Sequence, residues 1–173
     1  RVRFSRAETT QKATFVDSLG NVVLSDIGSP RFNHDPITLI CKGLLIEESR
    51  TNLILNSNIV SVFQLSGATL LTDNAVSPSG AVDADLITNS GTGVMTYPAT
   101  VAASSVNDYF ASLYVKPISG QPYVTLTTFY TGEAETHVDF NFSTFTTSTL
   151  PYPDDYVFEK YKNGWYRIGY RIS

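Results

Sequence analysis

The chain predicts an all-β protein, on three observations. Thr, Ser, Val, Tyr and Phe dominate while only 16% of residues are charged, a mix that suits pleated, half-buried surfaces better than helices. From Asn56 onward turn-formers recur about every 8 to 15 residues, at "SPSG", "NSGTG", "PISGQP", "YTGEAE", "PYPDD" and "KNG", the spacing of short strands in a sandwich or barrel. Nowhere does an apolar i, i+3, i+4, i+7 pattern persist for about 11 residues, so helices should be short or absent. The expected architecture is a β-hairpin and extended connector over residues 1–55, followed by an antiparallel jelly-roll-like β-sandwich over residues 56–173.

In chain order, "ATFVDSLGNVVLSD" reads as two short strands, Ala13 to Asp17 and Val22 to Leu24, joined through Leu19-Gly20-Asn21 with Gly20 able to take positive φ. "GSPRFNHDPITL" follows. Pro30 and Pro36 each fix φ and remove a backbone donor, so this stretch predicts an extended, turning linker and not a central strand. Beyond it, strands are expected at Phe63 to Leu65, Ala84 to Asn89, Gly93 to Ala99, Tyr109 to Lys116, Tyr123 to Tyr130, His137 to Asn141, Tyr156 to Tyr161 and Trp165 to Ile172.

"GLLIEESRTNLI", residues 43–54, wraps Glu47, Glu48 and Arg50 in Leu44, Leu45 and Ile46. On a strand the two glutamates point to opposite faces, and on a helix neighbours do not share a face either. A glycosidase needs two carboxyls aimed into one cleft roughly 5 to 9.5 Å apart, which adjacent residues cannot supply. The better reading is an inter-segment or inter-subunit contact, with the carboxylates reaching Arg50, Arg31 or Arg6; the alternative is an exposed pair of little energetic weight.

Period-2 alternation assigns faces to the later strands. Ala111, Leu113 and Val115 read as core, as do Val124 and Leu126, then Val138, Phe140 and Phe142, then Tyr166, Ile168 and Tyr170. If these strands share one sheet, their second faces assemble Tyr114, Tyr123, Thr125, Thr127, His137, Asp139, Asn141, Trp165 and Arg167 into one surface. Sugars need this mixture, since their C–H patches stack on aromatic faces while their hydroxyls demand partners that give and accept. Sixteen of the 21 aromatic residues lie between Tyr109 and the end, so a stacking site belongs there. Protein interfaces show the same aromatic and Arg enrichment, and the sequence leaves those two readings level. Trp165 alone reads more readily as a core or sheet-covering residue.

Several classes are disfavoured. The net charge is −4 with no dense Lys or Arg cluster to track a phosphate backbone, so no nucleic-acid partner is expected. No apolar run approaches the roughly 20 residues that span a bilayer, so no membrane insertion is expected. The single Cys41 cannot build a disulfide framework and reads as a small buried apolar residue. His34 and His137 form no metal set and no Ser-His-Asp spacing, and no catalytic residue is assigned. Asp83 and Asp85 in "VDAD" are the weak candidates for a structural calcium ion, against the plainer reading of two exposed carboxylates; no other cofactor is expected. The start at "RVRFSRAETT" and the end at "WYRIGYRIS" suggest a window on a longer polypeptide, with the sandwich cut short at its C-terminal end.

Two segments, "FSRAETTQKATFVDSLGNVVLSDIGSPRFNHDP" and "KGLLIEESRTNLILNS", resemble a module of bacteriophage tail fibres, tail spikes and head fibres. Its pattern runs roughly R-A-S/T, A-T-Y/F-V-D, G, P-R-F-D-x-D-P, G-L-L-I-E-x-x-R-T-N-L. Downstream, "SPSGAVDADLIT", "YFASLYVKP" and "KNGWYRIGYRIS" are similar to the carbohydrate-binding-module-like jelly roll that usually follows. The resemblance implies a virion structural protein on an external fibre, spike or decoration, homotrimeric, in contact with other virion proteins and attaching to a host-surface glycan. The alternatives are a connector or decoration protein of the tail or capsid that binds no sugar, and part of a depolymerase whose active site lies outside this segment.

Overall fold

A computed structural model describes residues 13–47, 53, 64–96, 109–118, 123–128, 136–150 and 155–172. Among these residues the protein is all-β: twelve strands pair antiparallel throughout, and the one helical element is a 3-10 turn at Lys162–Gly164. No helix among them is long and apolar enough to cross a membrane. The chain divides into two compact units, Arg1–Ala103 and Ser104–Ser173, whereas composition alone suggests a division after residue 55.

Among its described residues the first unit contains three hairpins. Strands β1 (Thr14–Val16) and β2 (Val22–Leu24) pair Phe15 with Val23. In their turn Asp17 Oδ1 accepts the backbone N–H groups of Leu19 and Asn21 at 2.8 and 2.9 Å, while Gly20 takes φ 79°, a left-handed conformation that a Cβ would strain. Strands β3 (Phe32–His34) and β4 (Cys41–Leu44) form a second hairpin, with β3 inside the stretch where an extended linker was expected. Pro30 and Pro36 flank β3 and do not interrupt it, so neither removes a ladder donor. The β3–β4 loop is built on Asp35. Its Oδ1 accepts Ile37 N–H and Thr38 N–H at 3.0 and 2.9 Å, and its Oδ2 lies 3.2 Å from Lys42 Nζ. Those two N–H groups, aided by Lys42, hold the Asp35 carboxyl well below the usual carboxylate range. Cys41, expected inside, is exposed, because a two-stranded hairpin leaves one of its faces uncovered.

The third hairpin pairs the long strands β5 (Gln64–Val76) and β6 (Val82–Thr96) across the expected "SPSG" turn. Its turn is tied to the first hairpin: Val22 N–H donates to Pro78 O at 2.9 Å, which joins this hairpin to the unit that sequence texture alone would end earlier. "NSGTG" is not a turn. The ladder runs past it with a register shift, Ala68 opposite Asn89 and Ser66 opposite Val94, so the glycines accommodate a bulge within the strand.

The second unit is a small two-sheet sandwich. Strands β8 (Tyr123–Thr128), β9 (Thr136–Asn141) and β10 (Thr146–Leu150) form one sheet in the order β10-β9-β8. Strands β7 (Tyr109–Val115), β11 (Tyr156–Lys160) and β12 (Tyr166–Ile172) form the other in the order β11-β12-β7. The two central strands carry the core. Val138 and Phe140 from β9 and Ile168 and Tyr170 from β12 are fully buried, with Leu113, Val115, Val124, Leu126, Phe142, Phe158 and Tyr166 packed around them. Alternation places all of these side chains but Phe158 inward. Edge-to-face contacts close one end of this core, with Phe158 5.3 Å from Phe140 and 5.5 Å from Phe142 between ring centroids, an arrangement aromatic quadrupoles favour.

Candidate functional site

Alternation along β8 and β9 puts Val124, Leu126, Val138 and Phe140 against the core, so Tyr123, Thr125, Thr127, His137, Asp139 and Asn141 occupy the outer face of that sheet. Register arranges them in cross-strand rows that β10 completes. Tyr123 lies opposite Asn141, which faces Thr146; Thr125 lies opposite Asp139, which faces Ser148; Thr127 lies opposite His137. Six of the nine expected residues therefore do share a surface.

A shallow groove of about 210 Å³ runs over two of these rows, lined by Tyr123, Asp139, Asn141, Thr146, Thr147 and Ser148. Tyr123 is 51% exposed and offers a ring to solvent. Asp139 is held from both sides: Thr125 Oγ1 donates to its Oδ1 at 2.6 Å, and Ser148 Oγ donates to its Oδ2 at 3.0 Å. Asn141 is held equally firmly, its Oδ1 accepting the backbone N–H groups of Ser143 and Thr144 at 3.0 and 3.1 Å. Both polar side chains thus enter the groove already oriented, which lowers the entropy lost when a ligand orders them.

The remaining three expected residues lie elsewhere. Tyr114 and Arg167 pair with each other across β7 and β12, on the outer face of the opposite sheet, and the core separates them from the groove. Arg167 Nη1 lies 4.0 Å from Glu159 Oε2, and Tyr114 packs edge-on against Tyr161 at 5.2 Å. Burial, then the neighbouring Tyr114, pushes the Tyr161 hydroxyl far above its ordinary range. Trp165 is only 8% exposed and cannot serve as a stacking platform. The expectation of one nine-residue face is corrected on this point: the strands do not share a sheet, because β7 and β12 pair with each other and not with β8 or β9.

The inter-segment residues resolve into a joint inside the first unit. Arg31, 5% exposed, places Nη1 2.7 Å from Glu47 Oε2 and donates to Thr14 O at 2.9 Å, while Leu45 N–H donates to Arg31 O at 2.8 Å. Two further side chains reach β1. Asn33 Oδ1 accepts Val16 N–H at 2.8 Å, and His34 Nδ1 lies 3.2 Å from Val16 O; a carbonyl can only accept, so Nδ1 carries the proton. Leu44 and Ile46 are exposed and Leu45 is half-buried. Glu48, Arg50 and Arg6 lie outside the described residues.

At the weak metal candidates, Asp85 Oδ1 accepts Asp73 N–H at 3.0 Å, which ties down an irregular stretch of β5 where Asp73 takes φ 50°. Among the described residues no three His, Cys, Asp or Glu side chains gather where they could hold a metal ion.

Thr146, Thr147 and Ser148 were missed by sequence reasoning because β10 was missed. "TTSTL" is β-branched and begins just after the "NFSTF" turn region, which was the available signal; its lack of an apolar alternation hid it. Compared with protein-family models, with curated proteins and with solved structures, the chain matches none.

Proposed function

We propose that this chain is a fibre or spike module of a phage particle and that the outer face of its β8–β9–β10 sheet binds a host-surface glycan. The groove carries the reading: an exposed ring, Tyr123, stands beside a carboxylate and an amide that neighbouring groups hold in place. Sugar recognition asks for that combination of stacking surface and oriented polar atoms. The resemblance in residues 4–58 supports the particle assignment, and a jelly-roll-like display module accords with the all-β fold. A glycan array probed with this protein should register binding that Tyr123→Ala weakens about tenfold, ~1.4 kcal/mol. Trp165→Ala and Arg167→Ala, on the other sheet, should leave glycan affinity within about twofold once folding is matched. Absence of binding to any surface glycan sinks the reading.

A structural connector is the second reading, and one observation favours it. Leu24, Ile27, Phe32, Ile37, Ile40, Leu44 and Ile46 of the first unit are all exposed, more apolar surface than so short a stretch ordinarily leaves in water. Contacts with further copies of the chain in a homotrimer, or with other virion proteins, would cover it. Sedimentation of the chain decides the oligomer: a strict monomer at micromolar concentration removes the trimer.

A further inference from the structure

Resting on the glycan reading of the groove, the hydrogen-bond directions within it specify which glycans it admits. Thr125 and Ser148 each own one hydroxyl proton, and both protons are committed to Asp139. What these three side chains turn toward a ligand is lone pairs. The Thr125–Asp139–Ser148 row, spanning all three strands, is therefore a line of acceptors with a negative charge at its centre. Asn141 contributes the opposite polarity: its Oδ1 is occupied by Ser143 N–H and Thr144 N–H, so its amide nitrogen, a donor, is what it offers. Among the described residues no Lys or Arg lines the groove.

We infer that the groove selects glycans made of neutral or amine-bearing sugars and refuses acidic ones. A sugar hydroxyl can donate to the acceptor row and, through its own oxygen, accept from Asn141. An ammonium group donates three times and neutralises Asp139. A uronate or sialate carboxylate brings only acceptors to a row of acceptors, and its charge meets that of Asp139 with no lining cation to offset it; such like-charge juxtaposition discriminates against a ligand more than a missing contact does. The Tyr123 ring is indifferent to this distinction, since every pyranose has a C–H face to stack.

The test is a titration of the protein with three oligosaccharides of matched length and linkage, built on glucose, glucosamine and glucuronic acid, followed by NMR shifts of the β8–β10 amides. The glucosamine and glucose compounds should bind with the glucuronate compound at least tenfold weaker, and added salt should weaken the glucosamine compound alone. Asp139→Asn, which removes the charge, keeps an acceptor oxygen for one of the two hydroxyls and presents an amide N–H that the other hydroxyl's oxygen can accept, should bring glucuronate to within about threefold of glucose. Ser148→Lys, at an exposed position, should do the same by adding a cation, and it stands in for Asp139→Asn if that variant fails to fold. Glucuronate binding as tight as glucose in the unaltered protein overturns the selectivity while leaving glycan binding intact. Binding of none of the three, with none on the array, overturns the glycan reading itself and the selectivity with it.

Discussion

In the first unit, Arg31, Asn33 and His34 hold an edge strand by gripping its main chain; in the second, Val138, Phe140, Ile168 and Tyr170 hold two sheets by filling the space between them. The difference follows from geometry. A two-stranded sheet has too little surface to enclose an apolar core, and in the first unit, among the residues whose side chains are described, the buried apolar ones are Val16 and Ala84. Directional contacts replace area there. Each such hydrogen bond contributes about 0.5–1.5 kcal/mol net, so the unit depends on several acting together. Two three-stranded sheets, by contrast, can exclude water from four whole side chains.

The comparison breaks most visibly at Phe140. Phe140→Ala should remove about 3–5 kcal/mol from the second unit, a large share of the roughly 5–15 kcal/mol that holds an ordinary domain folded. The molecule contains one tryptophan, and Trp165 sits within this unit, so its fluorescence during urea unfolding reads the sandwich alone. Next is Gly169, where an added Cβ would meet Ala111 O, with the Ser112 Cβ at 2.6 Å and the Phe110 ring at 2.9 Å. Gly169→Ala should cost about 1–3 kcal/mol by overpacking, read as a lower Trp165 unfolding midpoint. Asn33→Ala strips Val16 N–H of its acceptor and should cost the first unit about 1 kcal/mol, detected as faster amide exchange in β1. If Asn33→Ala moves the Trp165 midpoint as far as Gly169→Ala does, the two units do not unfold separately.

The smallest effect is a pH dependence. Because its folded pKa is lowered, Asp35 contributes stability to the β3–β4 hairpin in full above about pH 4, its ordinary range, and that contribution is lost as pH falls through the lowered value. The Ile37 and Thr38 amide shifts should hold steady at pH 4 and change only in stronger acid. In Asp35→Ala this acid transition should vanish.

Sequence reasoning reached the inward faces of β7, β8, β9 and β12 because alternation is local and those strands are strongly apolar on one side. Sheet membership is not local. Nothing in "YFASLYVKP" says that Tyr114 will lie opposite Arg167 and not beside Asp139, so the candidate site was legible as two half-surfaces whose separation only pairing reveals. Strand β10 escaped because Thr and Ser signal turns as readily as strands. The Arg31–Glu47 pair was legible as a class of contact, with the choice among three arginines decided by the β3–β4 register that sets Phe32 opposite Leu44.

The grip on β1 has a consequence for how this molecule can change. Asp17 N–H and Ala13 O are bonded toward β2, while Thr14 O, Val16 N–H and Val16 O on the other edge are taken by side chains of Arg31, Asn33 and His34. What is recognised on β1 is therefore its peptide groups, which every residue but proline supplies. Exposed Thr14 should accept nearly any replacement in a deep mutational scan, and the three residues that hold the strand should accept few. With those three peptide groups taken, the outer edge of the strand also offers little to a stray extended chain seeking to extend the sheet.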